Sequence, residues 1–284
     1  MNKTRFQSQI VLITGASSGI GKATALAFAK EGATTVLASR SREGLQRVAD
    51  EIRQLNGRPF VVPVDVSSQE QVRQMVAAVI EKYGRIDILF NNAGASMVGR
   101  IDEDDFIDKT RKMLEVDFMG TIYVTREVLP VMKRQGSGRI LNMSSVVGRK
   151  AFPHFGGYSS AMHALSGFTD ALRQELKGTG INVSVIHPAL TQTALLSRVR
   201  AEDMPPPFRY LTPISAEKVA NAALDGIHKN KPRIIVPFQP NLLLFADAIS
   251  PKLGDQVVRL LQNRIFGRLI GTYKGTVYRH KAAT

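Results

Sequence analysis

Thr14-Gly15-Ala16-Ser17-Ser18-Gly19-Ile20-Gly21 sets the fold of this chain. The stretch follows the apolar run Ile10-Val11-Leu12-Ile13 and precedes Lys22 to Glu31, an alanine-rich helical pattern stopped by Gly32. A strand that turns directly into a helix through glycines brings backbone close to whatever sits above the turn. The helix N-terminus adds free N–H groups and partial positive charge, a combination suited to a pyrophosphate.

Beyond this turn, apolar β-branched runs alternate with longer helical patterns. The spacing predicts strands at Thr34–Ala38, Phe60–Val64, Ile86–Phe90, Arg139–Met143, Asn182–His187 and Arg233–Val236. Between them it predicts a charged helix ending at Leu55, then helices at Gln69–Tyr83, Phe106–Arg134 and Ser159–Lys177. This alternation implies an α/β fold: a single doubly wound Rossmann-type domain with a seven-stranded parallel sheet and helices on both faces. Ligands of such sheets bind beyond the carboxyl ends of the strands, where every motif below falls.

The chain has 284 residues, enough for a large core, and no cysteine, so disulfides and thiolate metal sites are excluded. The polar N-terminus lacks the apolar region of a signal peptide, and no stretch approaches 18 uninterrupted apolar residues. A cytoplasmic protein is expected. The net charge of +14 suits anionic ligands, but the basic residues are dispersed without an aromatic-basic motif, so no nucleic-acid partner is expected. No carboxylate-histidine cluster suggests a metal. Residues 1–238 form the expected catalytic domain. Residues 239–284 combine Leu242-Leu243-Leu244-Phe245 with Arg259, Arg264, Arg268, Lys274, Arg279 and Lys281. This basic amphipathic extension is expected to pack on the domain, on a neighbouring subunit or on a membrane surface.

Four motifs occupy strand ends in order. Thr14 to Gly21 matches TGxxxGxG, Asn91-Asn92-Ala93-Gly94 matches NNAG, Ser144-Ser145 precedes Tyr158, and Pro188 begins a PGxxxT-like segment ending at Thr193. With them the chain resembles the classical short-chain dehydrogenase/reductases over roughly residues 8–238. Ala189 stands where that family usually has glycine.

The resemblance implies an oxidoreductase that moves hydride between a nicotinamide and a carbonyl or secondary alcohol. Gly15, Ser17, Ser18, Gly19, Ile20 and Gly21 would hold the pyrophosphate; Asp65 and Val66 would meet the adenine. Asn92, Ala93, Gly94, Tyr158, Pro188, Thr191 and Thr193 would line the remaining cofactor path, with Asn91 bracing the sheet. An acid after the second strand would bind a ribose 2′-OH. Here the place reads Ser39-Arg40-Ser41-Arg42, and Arg40 can pair bidentately with a 2′-phosphate, so NADP(H) is the expected cofactor.

By motif position Tyr158 is the acid/base and Ser145 the substrate hydrogen-bonding group. One helical turn on, the family's lysine is replaced by Met162, and the family's asparagine by Asp117. A lysine there would lower the tyrosine pKa by about 1–3 units. Activity is therefore expected to be impaired, the alternative being a cofactor-binding pseudoenzyme without turnover. Val147, His154, Phe155, Leu190 and Leu195 would shape a pocket for a hydrophobic ketone or alcohol. By resemblance alone the chain is expected to form a homodimer or homotetramer.

Overall fold

Alternation along β1 (Ile10–Thr14) divides the interior in two: Val11 and Ile13 enter one apolar core, Ile10 and Leu12 the other. A computed structural model describes residues 4–193, 212–238 and 240–261. Its strands continue with β2 (Thr34–Ser39), β3 (Arg58–Pro63), β4 (Ile88–Asn91), β5 (Gly138–Met143), β6 (Ile181–Pro188) and β7 (Arg233–Val236). They form one seven-stranded parallel sheet in the order β3-β2-β1-β4-β5-β6-β7. The order reverses between β1 and β4, so a crevice opens above their carboxyl ends.

Each core takes helices from its own side. Against Val11 and Ile13 lie Phe28 of α1 (Gly19–Lys30), Leu45 and Ile52 of α2 (Arg42–Gln54), and Val219 and Ile227 of the helix Ala216–His228. Against Ile10 and Leu12 lie Val72 and Met75 of α3 (Gln69–Tyr83), Val124 and Val128 of α5 (Gly120–Gln135), and Leu172 of α6 (Gly156–Glu175). Ser41 and Ser68 accept the Gly44 and Gln71 N–H groups and so cap α2 and α3.

The long helix expected at Phe106–Arg134 is interrupted. α4 (Phe106–Met113) runs into a π-helical turn, Leu114–Met119, before α5 begins. Such a turn inserts extra backbone into the helix and re-aims its side chains. Here it turns Asp117 inward, leaving it 2% exposed. Propensity carries no signal for this register change.

Counting Ala216–His228 as α7, two more helices follow β7: α8 (Pro240–Ile249) and α9 (Pro251–Leu261). Their Leu243 and Val258 enter a third apolar cluster with Val147, Phe155, Met162 and Leu165. Among the described residues, no helix is long and apolar enough to cross a membrane.

Candidate active site

One cleft of about 490 Å³ lies over the carboxyl ends of the strands. At one end it is lined by Gly15, Ser17, Ser18, Gly19, Ile20, Ser39, Arg40, Asp65 and Val66. Asn92, Ala93, Gly94 and Asp117 line its middle. Ser145, Val147, Phe155, Tyr158, Met162, Pro188 and Leu190 line the other end, while Thr191 leads back to Thr193, whose side chain lies against Gly19. Residues as far apart in the chain as Gly15 and Thr193 thus share one wall.

The turn between β1 and α1 is sterically locked. Gly15 has φ +66, and a Cβ there would meet Asn92 Nδ2 at 2.8 Å. Gly21 does not line the cleft; a Cβ on it would collide with the Gly15 carbonyl and stand 2.6 Å from Asn92 Nδ2. Its role is close packing of helix on turn. Thr14 Oγ1 accepts the N–H groups of Asn92 (2.9 Å) and Ala93 (3.0 Å), and Asn92 Nδ2 donates to the Thr14 carbonyl at 3.0 Å. Asn91 Nδ2 donates to Asn142 Oδ1 (2.9 Å) and Thr125 Oγ1 (3.0 Å), tying β4 to β5 and α5.

These residues fit a dinucleotide. Ser18 precedes α1 without capping it by its side chain, and the first turn of α1 carries no acid, which leaves that helix end to an anion. Ser39 Oγ is buried without a partner, beside the exposed Arg40. Ser41, by contrast, is committed to the cap of α2, and Lys22 pairs with Glu51 at 2.7 Å. Asp65 holds Ser67 through its N–H (3.0 Å) and Oγ (2.7 Å). Burial pushes its carboxyl up, but the Ser67 hydrogen bonds and the charges of Arg40 and Lys112 outweigh this and hold it below its ordinary value.

At the other end Tyr158 and Ser145 line the cleft together, and Ser145 Oγ donates to the Pro188 carbonyl at 3.4 Å. Burial, and then the Asp117 carboxyl, push the Tyr158 phenol well above its ordinary value; the Ser145 hydroxyl lowers it only in part. Met162 is 3% exposed within the third apolar cluster. Its carbonyl accepts from Ser144 Oγ (3.1 Å) and Ser166 Oγ (2.8 Å), fixing α6 against the turn after β5. Arg40 is the one cation lining the cleft among the described residues, at the far end from Tyr158.

Asp117 Oδ1 accepts the Ala95 N–H at 2.6 Å, while Oδ2 is buried without a partner. Burial raises the carboxyl well above its ordinary value against the pull of the Ala95 bond. The Asp117 carbonyl accepts from Thr121 Oγ1 at 2.8 Å. Around the substrate end, Val147, Phe155 and Leu190 line the cleft, but His154 does not; its backbone, at φ 64, accepts from Gly99 instead. Leu195 lies outside the described residues. His163 turns its Nδ1 to the Ser159 carbonyl at 2.8 Å and does not line the cleft.

Sequence reasoning missed His187. It is fully buried at the end of β6, with Nδ1 3.0 Å from the Ser145 carbonyl. Burial pushes its imidazole down to about 4, so the ring is neutral and donates through Nδ1. It thereby positions the turn that carries Ser145. The only signal was a histidine directly after the apolar pair Val185-Ile186 at the end of a strand.

The short chain dehydrogenase family model matches residues 9–204. The chain is 35% identical over 266 residues to the ketoacyl reductase HetN of Nostoc sp., covering 90% of each. It is 33% identical over 268 residues to 17-beta-hydroxysteroid dehydrogenase 13 of Rattus norvegicus, covering 93% of this chain and 86% of that one. Among solved structures, it resembles a 7 alpha-hydroxysteroid dehydrogenase complexed with NADH and 7-oxo glycochenodeoxycholic acid. The TM-score is 0.74 at 27% identity, over 82% of this chain and 94% of that one. The fold, the motif positions and these relatives agree: the chain belongs to the short-chain dehydrogenase family of nicotinamide-dependent oxidoreductases.

Proposed function

We propose that this protein is an NADP(H)-dependent reductase of hydrophobic carbonyl compounds, running also as a secondary-alcohol dehydrogenase, with Met162 holding its rate low. The observation that carries this reading is that Tyr158 and Ser145 line the same cleft as the β1–α1 turn. When bound, the dinucleotide supplies or accepts a hydride at the substrate carbon. Tyr158 gives the proton to the carbonyl oxygen in reduction and takes it back in oxidation. Ser145 holds that oxygen by a hydrogen bond. Arg40 and Ser39 would take the 2′-phosphate, a pairing worth about 1.5–3 kcal/mol per charged hydrogen bond. Val147, Phe155 and Leu190 supply apolar walls that favour a hydrophobic substrate.

The direction in which Tyr158 is displaced favours reduction. A phenol pushed up stays protonated at neutral pH, which suits an acid and starves a base. The same fact supports a second reading, a dinucleotide-binding protein without turnover, since a lysine would have lowered the phenol and Met162 cannot. We also infer a cytoplasmic homodimer or homotetramer, supported by the habit of the family and by the absence of cysteine.

Calorimetric titration with NADPH and NADH, followed by turnover with hydrophobic ketones, tests both readings. At least tenfold tighter binding of NADPH, with slow ketone-dependent oxidation of it, is expected. Binding without turnover would select the second reading. Failure to bind either dinucleotide would overturn both.

A further inference from the structure

We propose that the outer face of the α8–α9 pair docks on an anionic lipid surface. The pair is anchored inward. Leu243 and Val258 are buried in the third apolar cluster, and Gly254 packs so closely on Asp247 that a Cβ there would stand 2.8 Å from the Asp247 Cβ. Outward it presents Phe245 (66% exposed) and Ile249 (64%), one turn apart on α8, with Leu253 and Leu260 exposed on α9 and Phe238 just before α8. Large apolar side chains clustered on a surface mark an interaction site rather than chance exposure.

Charge selects the occupant. The only acids after residue 238 are Asp247 and Asp255, and both pair with the Lys150 ammonium at 2.7 Å. Asp255 also acts on the charge of Arg259, so with Lys150 counted the cations Lys150, Lys252 and Arg259 exceed these two acids by one. Residues 262–284 add Arg264, Arg268, Lys274, Arg279 and Lys281 and no acid at all. A second copy of this face would bring like charges together. Anionic headgroups would complement them, while Phe245 and Ile249 enter the acyl boundary. The proposal does not depend on the redox reading.

Co-sedimentation of the full chain with vesicles tests it. Phosphatidylcholine vesicles containing phosphatidylserine should pellet the protein at least tenfold more than phosphatidylcholine alone, and salt at about 0.5 M should reverse most of this. Phe245→Glu with Ile249→Glu should cut pelleting at least tenfold while leaving the melting temperature and NADPH affinity unchanged. Equal, negligible pelleting by both vesicle types would overturn the proposal. So would wild-type pelleting that the double substitution leaves intact. A soluble oligomer dissolved by the double substitution, with no vesicle binding, would assign the face to a second copy instead.

Discussion

The two ends of the cleft are built on different principles. At the dinucleotide end, shape and backbone dominate: Gly15 and Gly21 admit no side chain, Thr14 is joined to Asn92 and Ala93, and Asn91 to Thr125 and Asn142, by hydrogen bonds of 2.9–3.0 Å. At the catalytic end, Asp117 is removed from water and Tyr158 partly so, with no compensating cation among the described lining residues. Steric complementarity is spread over many atoms and survives a single change poorly only at its glycines. Electrostatic tuning rests on one charge, and one side chain removes it.

Met162→Lys puts this contrast to its most severe test. An ammonium beside Tyr158 should bring the phenol down by about 1–3 units and raise alcohol oxidation at pH 7 up to roughly a thousandfold. The pH profile of the oxidation rate checks this: its rising limb should move to lower pH. An unchanged profile would mean that Tyr158 is not the base.

Gly21→Val attacks the other end. Its Cβ meets backbone, which cannot give way, so overpacking should cost about 1–3 kcal/mol of stability and at least a hundredfold in NADPH affinity. Thermal melts and calorimetry separate the two effects. Arg40→Ala is milder: about 10–100-fold weaker NADPH binding with NADH little changed. Equal loss for both dinucleotides would move the 2′-phosphate away from Arg40.

Asp117→Asn probes the uncompensated carboxyl. Its folded-state value is raised, so the native state binds more protons than the unfolded chain once pH exceeds the ordinary carboxylate value. Stability therefore falls as pH rises through that window, by about 1.4 kcal/mol for each pH unit over which only the native state keeps the proton. An uncharged amide abolishes that slope, so the variant should gain on the parent as pH rises above about 4 in denaturant unfolding. Parallel curves would show Asp117 to be ionised and compensated.

Much of this was legible in the chain. Gln69–Tyr83 and Arg233–Val236 coincide with the predicted bounds; for the helix, capping serine, apolar period and left-handed Gly84 agree locally. The strand-end motifs reached the cleft because parallel topology forces every strand's carboxyl end to one edge of the sheet. Other features were not legible. Asp65 and Ser68 are both residue types that cap helices; Ser68 caps α3, while Asp65 lines the cleft and holds Ser67. Two residues with the same propensity compete for one helix end, and packing chooses between them. His154 follows the cleft-lining loop in sequence but turns out of it at positive φ.

Residue type and local spacing were enough for the alternation of strands and helices, the glycine turn, and the absence of lysine at position 162. Each of these is written within a few neighbouring residues. Packing alone brought about the rest: a π-helical turn buries Asp117, His187 supports Ser145, and α8 and α9 direct Phe245 and Ile249 outward. Those outcomes depend on which surfaces meet across long sequence separations, and no local propensity encodes that.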